Sequence, residues 1–89
     1  MFERRVTISN KRGLHARAAS RLVEVANRHA SDIRVLSGDR EADGKNIMSL
    51  IMLAASPGTE ILLQADGDDA EVALSALVAL IENGFDEGE

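Results

Sequence analysis

The chain predicts an α+β fold: a four-stranded antiparallel sheet with three helices on one face, in the order β-α-β-β-α-β-α. Three observations predict it. Apolar and polar residues alternate with the period of a half-buried strand around residues 5–9, 32–36 and 60–65. Apolar residues at helical spacing fill the stretches beginning at Ala16, Ile47 and Ala70. Polar or glycine-bearing turns separate these pieces, and antiparallel strands with helices segregated to one face make an open-faced sandwich.

Taken in order, Val6 and Ile8 alternate with Arg5, Thr7 and Ser9 in a first strand, and Asn10 to Gly13 is a polar turn. Ala19, Leu22, Val23 and Ala26 then stand at i, i+3, i+4 and i+7, so a helix starts at Ala16. It is expected to end near Arg28 or His29, with His29 a terminal surface residue that has no chemistry assigned. Ile33 and Val35 alternate with Asp32, Arg34 and Leu36. Ser37-Gly38-Asp39 turns the chain into a short polar strand at residues 40–42. Asn46 suits the cap of a helix over residues 47–54, whose Ile47, Leu50, Ile51 and Ala54 share one face. Ser56-Pro57-Gly58 is a turn, and residues 60–65 form the last strand with Ile61 and Leu63 inward. Asp68 and Glu71 resemble a capping box for a final helix. Its stripe is Ala70, Ala73, Leu74, Leu77, Val78 and Ile81, and Gly84 is its stop. The acidic tail after Phe85 is expected to fray.

At 89 residues the chain is expected to be one domain spanning 1–89, near the lower limit for a self-sufficient core. Aromatics are 2% of it, so Leu, Ile, Val, Ala and Met must build that core. Without cysteine there is no disulfide framework and no thiolate chemistry. No stretch approaches the ~18 apolar residues of a membrane span, and no leader-like run opens the chain; a cytoplasmic protein without membrane insertion is expected. A net charge of −5 argues against binding nucleic acid through its phosphates. Yet Arg4, Arg5, Lys11, Arg12, Arg17 and Arg21 crowd the first quarter, a local basic face suited to a phosphate or an acidic partner.

The most informative stretch is Asn10-Lys11-Arg12-Gly13-Leu14-His15-Ala16-Arg17-Ala18-Ala19. It sets a histidine and an arginine two residues apart where a helix begins. Free backbone N–H groups and the positive end of the helix dipole make that place an anion site. An imidazole, with its ordinary pKa of about 6.5, is mostly neutral at physiological pH and can accept a phosphoryl group covalently. His15 is therefore the candidate acceptor. Its alternative is a helix-capping or surface histidine. Arg17 is the candidate phosphate-neutralising group; otherwise it is a solvated cation where the dipole disfavours one. Arg12 lies in the same turn as a candidate assistant. The helix at 47–54 keeps Met48, Met52 and Leu53 off its inward face. It is then apolar nearly all round, as a helix is when it is wholly buried or when it docks a partner. There is no Walker loop, no carboxylate cluster for Mg²⁺ and no second histidine close in sequence, so no metal and no cofactor are expected.

Gly13-Leu14-His15-Ala16-Arg17 resembles the active-site segment of HPr, the phosphocarrier family of the bacterial phosphoenolpyruvate-dependent phosphotransferase system. Chain length and motif position extend the resemblance over essentially the whole chain. The ending Ala-Leu-Val-Ala-Leu-Ile-Glu-Asn-Gly-Phe-Asp-Glu, residues 76–87, is most similar to the nitrogen-related branch, NPr. The resemblance implies an HPr-like open-faced β-sandwich and a phosphoryl group carried on Nδ1 of His15. Ala16 and Arg17 would hold the phosphate, and Arg12, Ser20, Asn46, Ile47, Met48, Ile51 and Met52 would dock partners. Those partners would be an enzyme I-type donor and an EIIA-type acceptor. A monomer is the default expectation, and one histidine with one arginine makes no complete active site, so a stand-alone enzyme is not expected. The alternatives are a sugar-branch HPr coupled to carbohydrate uptake, or a binding module switched by phosphorylation of His15. Two positions depart from the family pattern. Ala18 stands where many members have proline, and Asn46 stands where many have a regulatory serine, which an amide cannot replace as a phosphorylation site.

Overall fold

Alternating burial builds the sheet. In the computed structural model, which describes residues 1–86, Val6, Ile33, Val35, Ala42, Ile61, Leu63 and Ala65 all point to one covered face. The strands are β1 (Phe2–Thr7), β2 (Asp32–Ser37), β3 (Arg40–Asp43) and β4 (Glu60–Asp66). They pair antiparallel in the order β1-β4-β2-β3. Register puts Val6 opposite Ile61 and Val35 opposite Leu63, so apolar side chains meet across strands on the core side. Three helices, α1 (Ala16–Ala26), α2 (Ile47–Leu53) and α3 (Ala70–Glu82), complete the expected α+β order. α3 packs on β1 and β4, α2 on β3, and α1 against both other helices.

Several element details differ from expectation, each for a packing reason. α1 stops at Ala26 with Asn27 as its C-cap, earlier than Arg28 or His29. The next two N–H groups, of Arg28 and His29, bond to Val25 and Ala26 at 3.1 Å, three residues back. The last turn is thus tightened toward a 3₁₀ geometry as the chain bends into β2. In α2 the buried residues are Leu50 and Leu53, while Ile51 is half-buried and Ile47 and Ala54 are exposed. Asn46 caps the helix by accepting the Ser49 N–H at 3.0 Å, and Ser49 Oγ accepts the Asp43 N–H at 3.1 Å. That second bond fixes the rotation of α2 on β3 and turns Leu53, not Ile47, inward. In α3 Leu80 joins the buried stripe and Val78 is only half-buried. Gly84, at φ +63°, is the left-handed stop the pattern predicts. Phe85 then folds back fully buried in a short 3₁₀ turn, Gly84–Asp86. Asp86, expected to fray with the tail after Phe85, is instead held in this turn: its N–H donates to the Asn83 carbonyl at 3.2 Å and its carboxylate accepts from the Asn83 side chain. The rest of the expected frayed tail, residues 87–89, lies outside the described residues.

The start of α3 also departs from its capping box. The N-cap is Asp69, not Asp68, and its side chain makes no cap bond. Its carboxylate instead accepts the N–H groups of Ala30 at 2.9 Å and Ser31 at 3.0 Å, together with the Ser31 hydroxyl. His29 Nδ1 lies 3.5 Å away. One carboxylate therefore ties the turn after α1 to the start of α3. The Ser31 hydroxyl, then the Ala30 N–H, hold its pKa down at about 2, against the opposing effect of burial. A depressed carboxylate contributes stability that is complete above its ordinary pKa of about 3.9 and is lost as pH falls through the folded value. Acid titration of stability should therefore steepen between about pH 4 and pH 2. Asp69→Asn should lower stability at neutral pH and flatten that window, as followed by urea unfolding at successive pH values; an unchanged slope would remove Asp69 from this role.

Candidate functional site

The approach to α1 is built from a glycine that no other residue can replace without strain. Gly13 adopts φ +66°, and a Cβ there would lie 2.5 Å from the Ala55 carbonyl oxygen. Leu14, buried, follows by donating its N–H to that same oxygen at 2.9 Å. The chain is thereby stapled to the segment just after α2 before it reaches His15.

His15 is the N-cap of α1, in extended conformation at φ −86°, ψ −176°. Its carbonyl opens the helix by accepting the Ala19 N–H at 2.8 Å. Its Nδ1 accepts the Arg17 N–H at 3.3 Å, which assigns the ring lone pair to Nδ1 and the ring proton to Nε2. The histidine is half-buried and thus reachable. The helix-capping and phosphoryl-accepting readings coincide geometrically: the cap atom is the one that would attack.

Around it, Arg12, Ala16, Arg17 and Ser20 are exposed. Neither the Arg12 nor the Arg17 guanidinium makes a hydrogen bond or ion pair among the described residues. Arg21, by contrast, lies 3.9 Å from Glu24, an exposed pair worth little. No acid occupies the first turn of α1, so the positive end of its dipole is not compensated there. The His15 ring and the N-terminus of α1 are thus assembled at one place, with the backbone of Arg17 against the ring. Among the described residues no cluster of three potential metal ligands is found. No described helix is long and apolar enough to cross a membrane.

The residues expected to dock partners lie in the loop before α1 (Arg12), on α1 (Ser20), at the cap of α2 (Asn46) and on α2, and the two helices pack together. Ile47, Met48 and Met52 are 40%, 63% and 72% exposed, and Ile51 is half-buried. Leu53, expected with the two methionines outside the inward face, is buried and cannot contribute. Asn46 is exposed, its carboxamide oxygen engaged as a cap. His29 corrects the surface assignment. Its side chain is only 14% exposed, and it sits at the far end of α1 against Asp69. Asn10, a polar turn residue by its sequence, is 2% exposed. An amide three residues before a left-handed glycine was the available signal.

Comparison with known proteins gives one answer. The family described as PTS HPr component phosphorylation site matches residues 2–83. The chain is 51% identical over 85 residues to phosphocarrier protein HPr of Pseudomonas aeruginosa, with 94% of each chain covered. It is 42% identical over 86 residues to phosphocarrier protein NPr of Shewanella violacea, covering 97% of this chain and 94% of that one. The crystal structure of HPr-C-His from Thermoanaerobacter tengcongensis, 42% identical, matches with a TM-score of 0.93 over 98% of both chains. An HPr dimer from the same organism, also 42% identical, matches at 0.76 over 96% of this chain and 98% of that one.

The staple at Gly13 makes a direct prediction. Gly13→Ala should cost about 1–3 kcal/mol from the left-handed backbone alone, before the clash with Ala55 is counted. Urea unfolding measures it; a loss below a few tenths would mean that the loop reaches His15 by another route.

Proposed function

The chain belongs to the HPr family, the phosphocarriers of the phosphotransferase system, and we propose that His15 is its phosphoryl acceptor. One observation carries the reading: Nδ1 of His15 holds its lone pair at the N-terminus of α1, beside Arg17. In this reading Nδ1 releases the Arg17 N–H and forms a bond to phosphorus as the N–P bond of a phosphorylated enzyme I-type donor breaks. The donor ring keeps that electron pair, and in net one proton passes from the His15 ring to the donor ring. The added anion then lies against the first-turn N–H groups of Ala16 and Arg17 and the Arg17 guanidinium. The reverse exchange delivers the group to a histidine of an EIIA-type protein. Ile47, Met48, Ile51 and Met52, with Arg12, Ser20 and Asn46, form the docking face for both partners. The carrier works as a cytoplasmic monomer of one domain, without cofactor.

The finer reading is the nitrogen-related branch, supported by the ending at residues 76–87. A sugar-coupled carrier is the second reading. It is favoured by the higher identity to the relative named HPr, 51%, than to the one named NPr, 42%. Serine-kinase control at position 46 has no hydroxyl to act on in either case.

Labelled phosphoenolpyruvate with an enzyme I-type donor should place acid-labile, base-stable label on the wild type and none on His15→Ala. Arg17→Ala should slow transfer roughly ten- to a hundred-fold, the effect of losing one charge-assisted contact of about 1.5–3 kcal/mol. Label surviving in His15→Ala would sink the assignment. Chasing the label into EIIA-type proteins of the two branches decides between them by which accepts faster.

A further inference from the structure

The loop before the histidine holds a buried polar side chain that the transfer chemistry above does not use. Asn10 grips both polar groups of Gly13. Its carbonyl accepts the Gly13 N–H at 3.3 Å, and its Nδ2 donates to the Gly13 carbonyl at 2.8 Å. The same Gly13 carbonyl accepts the His15 N–H at 3.0 Å. The Asn10 amide and the His15 backbone thus converge on one oxygen and use both of its lone pairs. The C-terminal turn closes over this arrangement. A Cβ on Gly84 would lie 3.8 Å from the Asn10 Cβ, and Phe85 beside it is fully buried. Away from water such a bond is stronger, and its loss leaves a carbonyl short of a donor.

We infer that Asn10 is a positioning residue for phosphoryl transfer, setting the direction of the Gly13 carbonyl and through it the His15 imidazole. The inference rests on the reading of His15 as acceptor. Its reach follows from the length of the cap bond. The contact from the Arg17 N–H to His15 Nδ1 is already 3.3 Å, so a tilt of a few tenths of an ångström at His15 breaks it. The lone pair of Nδ1 then turns away from the helix terminus that receives the phosphoryl group. A carboxamide suits the position because it brings a donor to the Gly13 carbonyl. Aspartate would set a carboxylate against that oxygen, and alanine would set nothing there.

The test compares Asn10→Ala and Asn10→Asp with wild type, using the phosphorylated enzyme I-type donor and ¹⁵N resonances of the two histidine rings. Expected is a kcat lower by roughly ten- to a hundred-fold, the scale of a misplaced reacting group, with KM for the donor unchanged. The His15 ring signals should move, while those of His29, at the other end of α1, stay. A folded variant with wild-type kcat, a rise in KM alone, or unmoved His15 signals overturns the inference. Should both variants unfold, wild type decides. Hydrogen-bond coupling from the Asn10 side-chain amide to the Gly13 carbonyl, and a shift of that amide on phosphorylation, support the role; absence of either removes it. A wild type that takes no phosphoryl group overturns the His15 reading itself, whereas a phosphorylated wild type beside unchanged variants overturns Asn10 alone.

Discussion

The approach of the Ala55 carbonyl to Gly13 is the contact on which the rest of the site depends. A side chain at position 13 would occupy the space of that oxygen, and the left-handed backbone there is natural only to glycine. Because Leu14 bonds to the same carbonyl, the residue before the histidine and the segment after α2 move as one. The sheet supports this junction from below. Ile8 exchanges bonds with Thr59 and Gly58 at 2.9 and 2.8 Å, carrying the β1–β4 pairing to the foot of the loop. His15 and the exposed methionine helix therefore keep a fixed relation.

The two longer helices treat their N-termini in opposite ways. α3 has a strong carboxylate at its cap position and a glutamate in its first turn, yet Asp69 turns away to hold the chain at Ala30 and Ser31. α1 has no acid in its first turn and is capped by a neutral ring nitrogen through a 3.3 Å bond. A carboxylate at position 15 would cap α1 more strongly, and would set permanent negative charge at that helix terminus. The strong acid is placed where a tertiary tether needs it.

Most of the fold was legible because alternation and helical spacing report burial directly. Val6, Ile33, Val35, Ile61 and Leu63 all face the core as their patterns predict, and Asn46 and Gly84 stop or start helices as their chemistry suggests. The errors share a cause: each concerns a choice made between elements distant in sequence. Leu53 turns inward because Ser49 bonds to β3, and Asp69 turns from its helix to accept the N–H groups of Ala30 and of the buried Ser31. His29 is covered for the same reason. At the site, the histidine, the arginine and the helix start were readable as local spacing. The depth of Asn10 and the Ala55 contact were not, since neither leaves a periodic trace.

Reversible carriage on His15, as proposed, asks for limited affinity. Every tenfold gain in holding a phosphoryl group removes ~1.4 kcal/mol from its transfer potential. Arg17 is exposed, so its attraction for an anion is screened by water and salt. A fully buried guanidinium with a second fixed cation would hold phosphohistidine far more tightly and stall delivery. The stiffness of the site is instead invested beneath it, in the Gly13 staple and the buried amide of Asn10. Those contacts lie in the backbone beneath the ring and touch no part of the imidazole. Orientation speeds exchange in both directions, and weak, solvated charge keeps the two directions balanced.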